Sequence, residues 1–530
     1  MKNIGGTIRL AATDISNHLS CGHLSALNVS ESRGERVSPP VRAPHLVVIQ
    51  ERGLDHERAY IQHLASQGLS IRNLDNYKDD ADSVAETLKA MAAGVEVIVQ
   101  GALENDRWFG RPDVLRRIEL PSNLGSWSYE PYDCKLARET KAATILQLSH
   151  YAALLTAVQG CEPETMYVVP PSPEFNVERY RVLDYAAYYR SIKARLEKAT
   201  AKEQPTFAEP NGHCDVCRWW PECDREWRRD DHLSLTAGIS RLQRKQLIEW
   251  EVPTVEALSR LTVPLVNKPR HGSRDGYVRI REQARVQVAG RYQRQPVHEL
   301  LAIEPGRGLT RLPEPSPGDI SFDLESDPFV GTHGREYLFG FGTQSAEGRF
   351  DYQRRWALSA TDEKAAFEWF VDFAMEQWKS FPAMHIYHYS PKEPSALKTL
   401  MGRYATREDA IDRMLRAGIF VDLHSITKQS LRASVEQYSL KALEEFHGFK
   451  RNVPLDEAKA AMRQVEHGLE LGRITEVDAG TSDTVEGYNA DDCRSTFSLR
   501  DWLEGLRRAE VDAGTDIPRP KEQDGEPPET

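Results

Sequence analysis

No run of eighteen apolar residues occurs in this 530-residue chain, so nothing in it is long enough to cross a bilayer as a helix. The N-terminal stretch MKNIGGTIRLAATDISNHLS has no apolar core followed by a small-residue cleavage site, so no secretory signal is expected. The expected location is the cytoplasm, with no membrane partner. A phosphate-binding loop of the form G-x4-G-K followed by Ser or Thr is also missing, which excludes ATP hydrolysis by the chain itself. A motor, if needed, must come from another protein. Tandem repeats are absent. A basic coat is absent too, the formal net charge being -12 with 68 Lys and Arg against 80 Asp and Glu. That balance argues against a generally basic nucleic-acid surface, but centres built from carboxylates lower the total by themselves. Cysteine is scarce, 7 in the whole chain, yet three of the seven crowd into ten residues. In a reducing compartment such crowding points to metal ligation before disulfides.

The length is too great for one hydrophobic core, and composition shifts mark several units. Residues 1–229 mix helical periodicity, over Leu54 to Gln67 and Ser83 to Ala93, with strand-like runs such as VEVIVQGAL. The segments WFGRPDVLRRIEL and SWSYEPYDCKLA, separated by PSNLG, predict two strands joined by a Pro/Gly-containing loop, and ETKAATILQLSHYAALLTAV predicts a long helix after them. Residues 230–315 read as a small connector: a pair of short helices around a Val-Pro turn, then the basic, strand-like YVRIREQARVQVAGRY. The stretch EPGRGLTRLPEPSPG marks a boundary, after which residues 316–507 form a second α/β unit. The polar, proline-containing end, residues 508–530, predicts disorder.

In the first unit, Asp113 ends one strand, while Asp133 and Lys135 flank Cys134 on the next and so share a face. Two carboxylates can hold a divalent metal that polarises a phosphoryl oxygen and activates water, and a lysine ammonium can orient that water. His56 in RGLDHER offers a third ligand, and Gln147 and Tyr151, four apart on the helix, share a face toward a substrate phosphate or the lysine. A D-x-K triplet alone is as easily a surface salt bridge. Asp113, Asp-Cys-Lys and Gln-Leu-Ser-His-Tyr, in this order, resemble the PD-(D/E)xK nuclease core of the RecB type. The resemblance covers roughly residues 1–229 and implies His56, Asp113, Asp133 and the Cys134 carbonyl as metal ligands. It implies Lys135 as the catalytic lysine and Gln147 and Tyr151 as the helix signature.

Cys214, Cys217 and Cys223 form C-x2-C-x5-C, and Cys21 stands alone far upstream. Three late cysteines and one early one resemble the 4Fe–4S staple of RecB-type nucleases, whereas a zinc ribbon would usually supply two C-x2-C knuckles. Zinc or unligated thiols are the alternatives. Cys134, Cys161 and Cys493 fall outside the pattern and read as ordinary semi-buried cysteines.

In the second unit, ISFDLESD puts Asp323 and Glu325 on one face of a strand, and EGYNADDC puts Tyr488 and Asp492 one helical turn apart. Glu393 follows a short apolar strand between them. The order resembles DEDD-type 3′–5′ exonucleases with an RNase H-like fold, most closely their YprB-like branch, over residues 316–507. That implies Asp323, Glu325, Glu393 and Asp492 as metal ligands and Tyr488 positioning the attacking water. Glu393 departs from the usual aspartate, Asp422 is the fallback ligand, and Asp491 reads as a solvated neighbour. The bland alternative is a degenerate fold kept for binding. In the connector, GISRLQRKQLIEWEVPTVEALSRL resembles a helix–hairpin–helix module that would grip a nucleic-acid backbone with Arg241 and Arg244; a plain helical linker fits equally.

The expectation is therefore an α/β protein: a restriction-endonuclease-like domain and an RNase H-like domain joined by a mainly helical connector. Its function would be metal-dependent hydrolysis of DNA in repair or defence, with single-stranded ends favoured by the resemblance and RNA as a further substrate class. The cofactors would be a 4Fe–4S cluster and Mg²⁺ or Mn²⁺, and because chains pairing these two domains resemble the front half of larger nuclease–helicase proteins, the resemblance implies a helicase as a partner in trans. The alternatives are a non-catalytic nucleic-acid-binding or assembly subunit, or a 3′–5′ exonuclease working mainly through the RNase H-like centre.

Overall fold

A computed structural model describes residues 1–40, 44–77, 79–137, 139–171, 174–201, 205–345 and 348–527, the side chains of 44–49 excepted. Among them the chain is mixed α/β and divides into two compact units, Met1–Glu226 and Trp227–Thr530. No helix of the described residues is long and apolar enough to cross a membrane.

The first unit is built on a six-stranded sheet in the order Glu178–Arg181, Thr165–Val169, Ser128–Cys134, Val114–Ile118, Val97–Val99, Ile71–Asn73. The hairpin forms where two apolar runs flank the Pro/Gly loop, with Val114 opposite Tyr132 in an antiparallel ladder. Alternation sends Tyr132 into a core with Tyr60, Leu64, Val97, Val99 and Val169, and Tyr129 into another with Leu115, Leu146 and Leu155. Asp133 shares the face of Tyr129, toward the helix Ala142–Gln159. That helix stops at Gly160, whose φ of 72° is the left-handed cap a glycine adopts without steric cost.

The second unit centres on a five-stranded sheet in the order Phe350–Trp356, Arg335–Gln344, Ile320–Asp327, Ile386–His388, Phe420–Asp422. The first three strands are antiparallel and the last two join parallel to Ile320–Asp327 and to each other. On the central strand Ile320, Phe322 and Leu324 enter a core with Phe339, Phe341 and Phe370, and Phe322 stacks on Phe370 at 3.8 Å. The period of two leaves Asp323 and Glu325 on the opposite face, where the helix Ala479–Asp512 lies. The close approach explains a glycine: a Cβ at Gly340, opposite Asp323, would fall 1.7 Å from Asn489 Oδ1.

Three sequence expectations change. YVRIREQARVQVAGRY is not a strand: Arg274–Gln293 is a helix with Ser273 as N-cap, because Tyr277, Ile280, Ala284 and Val288 repeat at helical spacing against one core. The local V-R-I-R and V-Q-V alternation misled. Residues 230–315 are not a separate body either. Gln283 donates to the Ala433 carbonyl at 2.9 Å, His298–Leu300 pairs with Leu431–Ala433, and Leu309 and Leu312 share a core with Leu423 and Leu503. The chain end is not disordered from residue 508. The helix runs to Asp512, Ile517 is 3% exposed, and Arg519 binds Glu504 at 2.6 and 2.8 Å and the Leu312 and Pro313 carbonyls at 3.0 Å. One apolar residue and one arginine find partners there, which average composition does not register.

Candidate metal centres

The central strand and the last helix of the second unit bring Asp323, Glu325 and Asp492 together. Among the described residues this is the one His, Cys, Asp or Glu trio whose ligand atoms all lie within 4.8 Å of one another. Asn489 ties it, donating through Nδ2 to Asp323 Oδ2 at 2.7 Å and Glu325 Oε1 at 3.3 Å. It precedes Asp492 by one helical turn, so its position was legible in EGYNADDC once the helix was assigned. Burial, then the charges of Glu325, Asp492 and Glu393, hold the Asp323 carboxyl well above the usual range. Burial and Asp492 raise Glu325 in the same way. Carboxylates crowded out of water and against each other are in the condition a divalent cation relieves.

Three cations face the trio, and sequence reasoning found none of them, because each comes from another element. Lys392 donates to the Leu324 carbonyl at 2.8 Å; burial opposes its charge, but Glu325 and Asp323 outweigh that and its pKa is raised. Lys441 Nζ lies 2.7 Å from Asp492 Oδ2, and Arg451 Nη2 lies 2.5 Å from Asp492 Oδ1.

The remaining predicted residues are placed as follows. Glu393, 3% exposed, accepts from Ser390 Oγ at 3.1 Å and is outside the compact trio, although its charge acts on Asp323. Tyr488 is half-buried, its phenol raised by burial and by Asp492, with Lys441 and Arg451 over its ring at 5.1 and 5.3 Å. Asp422 is no substitute ligand: it caps the helix Leu423–Ser430, accepting from the His424 amide at 3.0 Å. Asp491 is not solvated. It is 0% exposed and accepts from the Asn452 and Val453 amides at 2.7 and 3.0 Å, fixing the loop that carries Arg451. Arg244 is 6% exposed and is not a free grip for a nucleic-acid backbone.

In the first unit, Lys135 Nζ lies 2.5 Å from Asp133 Oδ2, and Asp113 Oδ2 accepts from the Cys134 amide at 2.7 Å. Burial and then Asp133 raise the Asp113 carboxyl well above its ordinary value. Tyr151, 5% exposed, is raised by burial and by the Asp133 and Asp113 charges, so it belongs to the same cluster; Gln147 is half-buried on that helix. His56 is directed elsewhere than expected: Nε2 bonds the Val169 carbonyl at 2.9 Å, and His56, Asp113 and Asp133 do not form a compact trio among the described residues. Its neighbour Glu57 reaches the cluster instead. Gln100 Nε2 bridges Glu57 Oε1 at 2.7 Å and Asp113 Oδ1 at 3.3 Å, and burial, then the charges of Asp75 and Asp133, raise Glu57 against that hydrogen bond. Both residues lie in one RGLDHER motif, and only packing distinguishes them.

Cys21 sits between the helices Ala12–Ser20 and Gly22–Ser32, and Cys214, Cys217 and Cys223 lie on a short turn and the helix Trp220–Arg229. The two ends meet: Arg218 Nη2 and Trp219 Nε1 donate to Asn28 Oδ1 at 2.9 and 3.2 Å. Burial, then Cys217, Cys21 and Cys214, push the Cys223 thiol up to about 12. All seven cysteines are free of disulfides.

Residues 320–504 match the model of the RNase H superfamily. The match spans Asp323, Glu325, Glu393, Tyr488 and Asp492, so this segment is an RNase H-like domain, which fits a nuclease and implies nucleic-acid binding. No curated protein matches the chain.

Proposed function

We propose that the protein is a metal-dependent phosphodiester hydrolase of nucleic acid whose best-supported centre is Asp323, Glu325 and Asp492. The observation that carries this is the convergence of those three carboxylates, within 4.8 Å, inside the RNase H-like segment. A divalent ion held there supplies Lewis acidity toward a phosphoryl oxygen and lowers the pKa of a bound water. Asn489 orients two of the ligands, Lys392 offsets their charge, and Tyr488 stands at the rim, its phenol protonated and able to donate to a water or a phosphate oxygen. Glu393, which acts on Asp323, is the candidate fourth ligand.

The first unit supports a second centre of the PD-(D/E)xK, RecB type. Asp113, Asp133, Lys135 and Tyr151 lie together there, in keeping with that resemblance, and Glu57 is linked to Asp113 through Gln100 while His56 faces the Val169 carbonyl. The four cysteines would be the ligands of a structural 4Fe–4S cluster, as that resemblance implies: burial raises each late thiol, and the charge of Cys21 adds to it in all three. The cluster would join the two ends of the unit. Single-stranded DNA ends are the favoured substrate and repair or defence the favoured role, both from that family likeness.

End-labelled single-stranded DNA, and RNA of the same sequence, with Mn²⁺ or Mg²⁺ test this on anaerobically purified protein. Asp323→Ala should lose at least about 100-fold in rate if the RNase H-like centre works, and Lys135→Ala reports the RecB-type centre. Equal inertness of all three proteins on both substrates would favour a non-catalytic binding subunit.

A further inference from the structure

Asp492 is paired with a cation at each of its two oxygens. Lys441 holds one of its oxygens at 2.7 Å and Arg451 the other at 2.5 Å. A carboxylate neutralised on both oxygens is a poor ligand for a divalent ion, and two fixed monocations repel a dication brought beside them. Yet the same cations are well made for an anion. Both stand within 5.3 Å of the centre of one ring, that of Tyr488, so their charges are gathered at one place. Arg451 is oriented by Glu444, which accepts from its Nε at 3.0 Å and its Nη2 at 2.5 Å. Its side chain is 8% exposed, and Nη1 is buried with no hydrogen-bond partner among the described residues. A buried guanidinium nitrogen without an acceptor, beside a carboxylate trio, calls for an oxygen that is not part of the resting protein.

We propose that Lys441 and Arg451 are a phosphate clamp that exchanges Asp492 for a phosphate group. When a nucleic-acid phosphate enters, its oxygens take over the two cations, Arg451 Nη1 gains its missing acceptor, and Asp492 is released to complete the trio with Asp323 and Glu325. Metal and phosphate then bind cooperatively, and the centre holds metal more weakly until a phosphate arrives. This rests on the trio being a metal centre.

Mn²⁺ titration of the full chain, by calorimetry and by loss of the free-ion paramagnetic resonance signal, tests it with dTMP as the probe, a phosphate with no phosphodiester bond to cleave. The relevant metal is the fraction abolished by Asp323→Asn. Saturating dTMP should tighten that fraction about tenfold, and Mn²⁺ should tighten dTMP by the same factor. Lys441 is 31% exposed at its side chain, so Lys441→Met should fold, as its unfolding midpoint will show. That variant should bind Mn²⁺ more tightly than wild type without dTMP and lose most of the enhancement, while Lys441→Arg keeps it. Equal Mn²⁺ affinity with and without dTMP, alongside a genuine Asp323-dependent fraction, overturns the clamp and leaves the metal centre standing. Absence of any Asp323-dependent fraction in both conditions overturns the centre and the clamp with it.

Discussion

Asp323 and Glu325 show how little residue identity fixes a carboxylate's behaviour. On the strand they are two ordinary acids; with the helix Ala479–Asp512 over them, burial and the charge of Asp492 raise both carboxyl groups, and Glu325 adds to the rise at Asp323. A raised carboxyl keeps its proton to higher pH, and a metal must displace that proton. Metal affinity at this centre should therefore be weak on the acid side, rise as pH climbs through the raised values, and release protons on binding. Calorimetric titration with Mn²⁺ and dTMP in two buffers of different protonation enthalpy measures this directly. A binding heat identical in both buffers would mean the carboxyl groups are already ionised and that the burial argument is mistaken.

At the scale of elements, the decisive contact is between the glycine-containing strand Arg335–Gln344 and the helix that carries Asn489 and Asp492. Gly340 leaves room for Asn489 Oδ1, which also accepts from Tyr352 Oη at 2.8 Å, while Asn489 Nδ2 holds the acids. Gly340→Ala should push Asn489 off Asp323 and Glu325. The expected result is a stability loss of about 1–3 kcal/mol, as for overpacked cores, with a much larger loss of nuclease activity. Urea unfolding read beside the activity assay separates the two, and full activity with reduced stability would show that Asn489 does not position the ligands. That YLFGFGT is a strand was legible from its composition. That its glycines admit a helix was not, because the partner lies about 150 residues away in sequence and contributes no local pattern.

The whole chain is two compact units with different closures. In the first, the proposed cluster on Cys21 and the three late cysteines would close a very long loop, and binding it would add to the folded state what loop closure otherwise costs. Scanning calorimetry should show Cys21→Ser lowering the stability of the first unit by roughly 3 kcal/mol or more and leaving the second unchanged. Truncation after Asp512 should do the reverse: it removes buried Ile517 and the Arg519–Glu504 pair, a loss of about 2 kcal/mol or more from the apolar burial alone. If both variants moved both transitions together, the units would not be thermodynamically separable.

The sequence by itself determined the pieces whose signal is local. Alternation in ISFDLESD put Asp323 and Glu325 on one face, helical spacing put Asp492 beneath Tyr488, and the hairpin around PSNLG put Asp133 and Lys135 on one face. Period and turn chemistry are properties of neighbouring residues, so they survive in the one-dimensional string. Only the tertiary structure decided which groups meet across elements. It turned His56 to the Val169 carbonyl and its neighbour Glu57 to Gln100, used Asp422 as a helix cap, buried Asp491 against the Asn452 loop, and set Lys441 and Arg451 on Asp492. Those choices depend on packing distances between segments far apart in the chain, and no spacing within a motif encodes them.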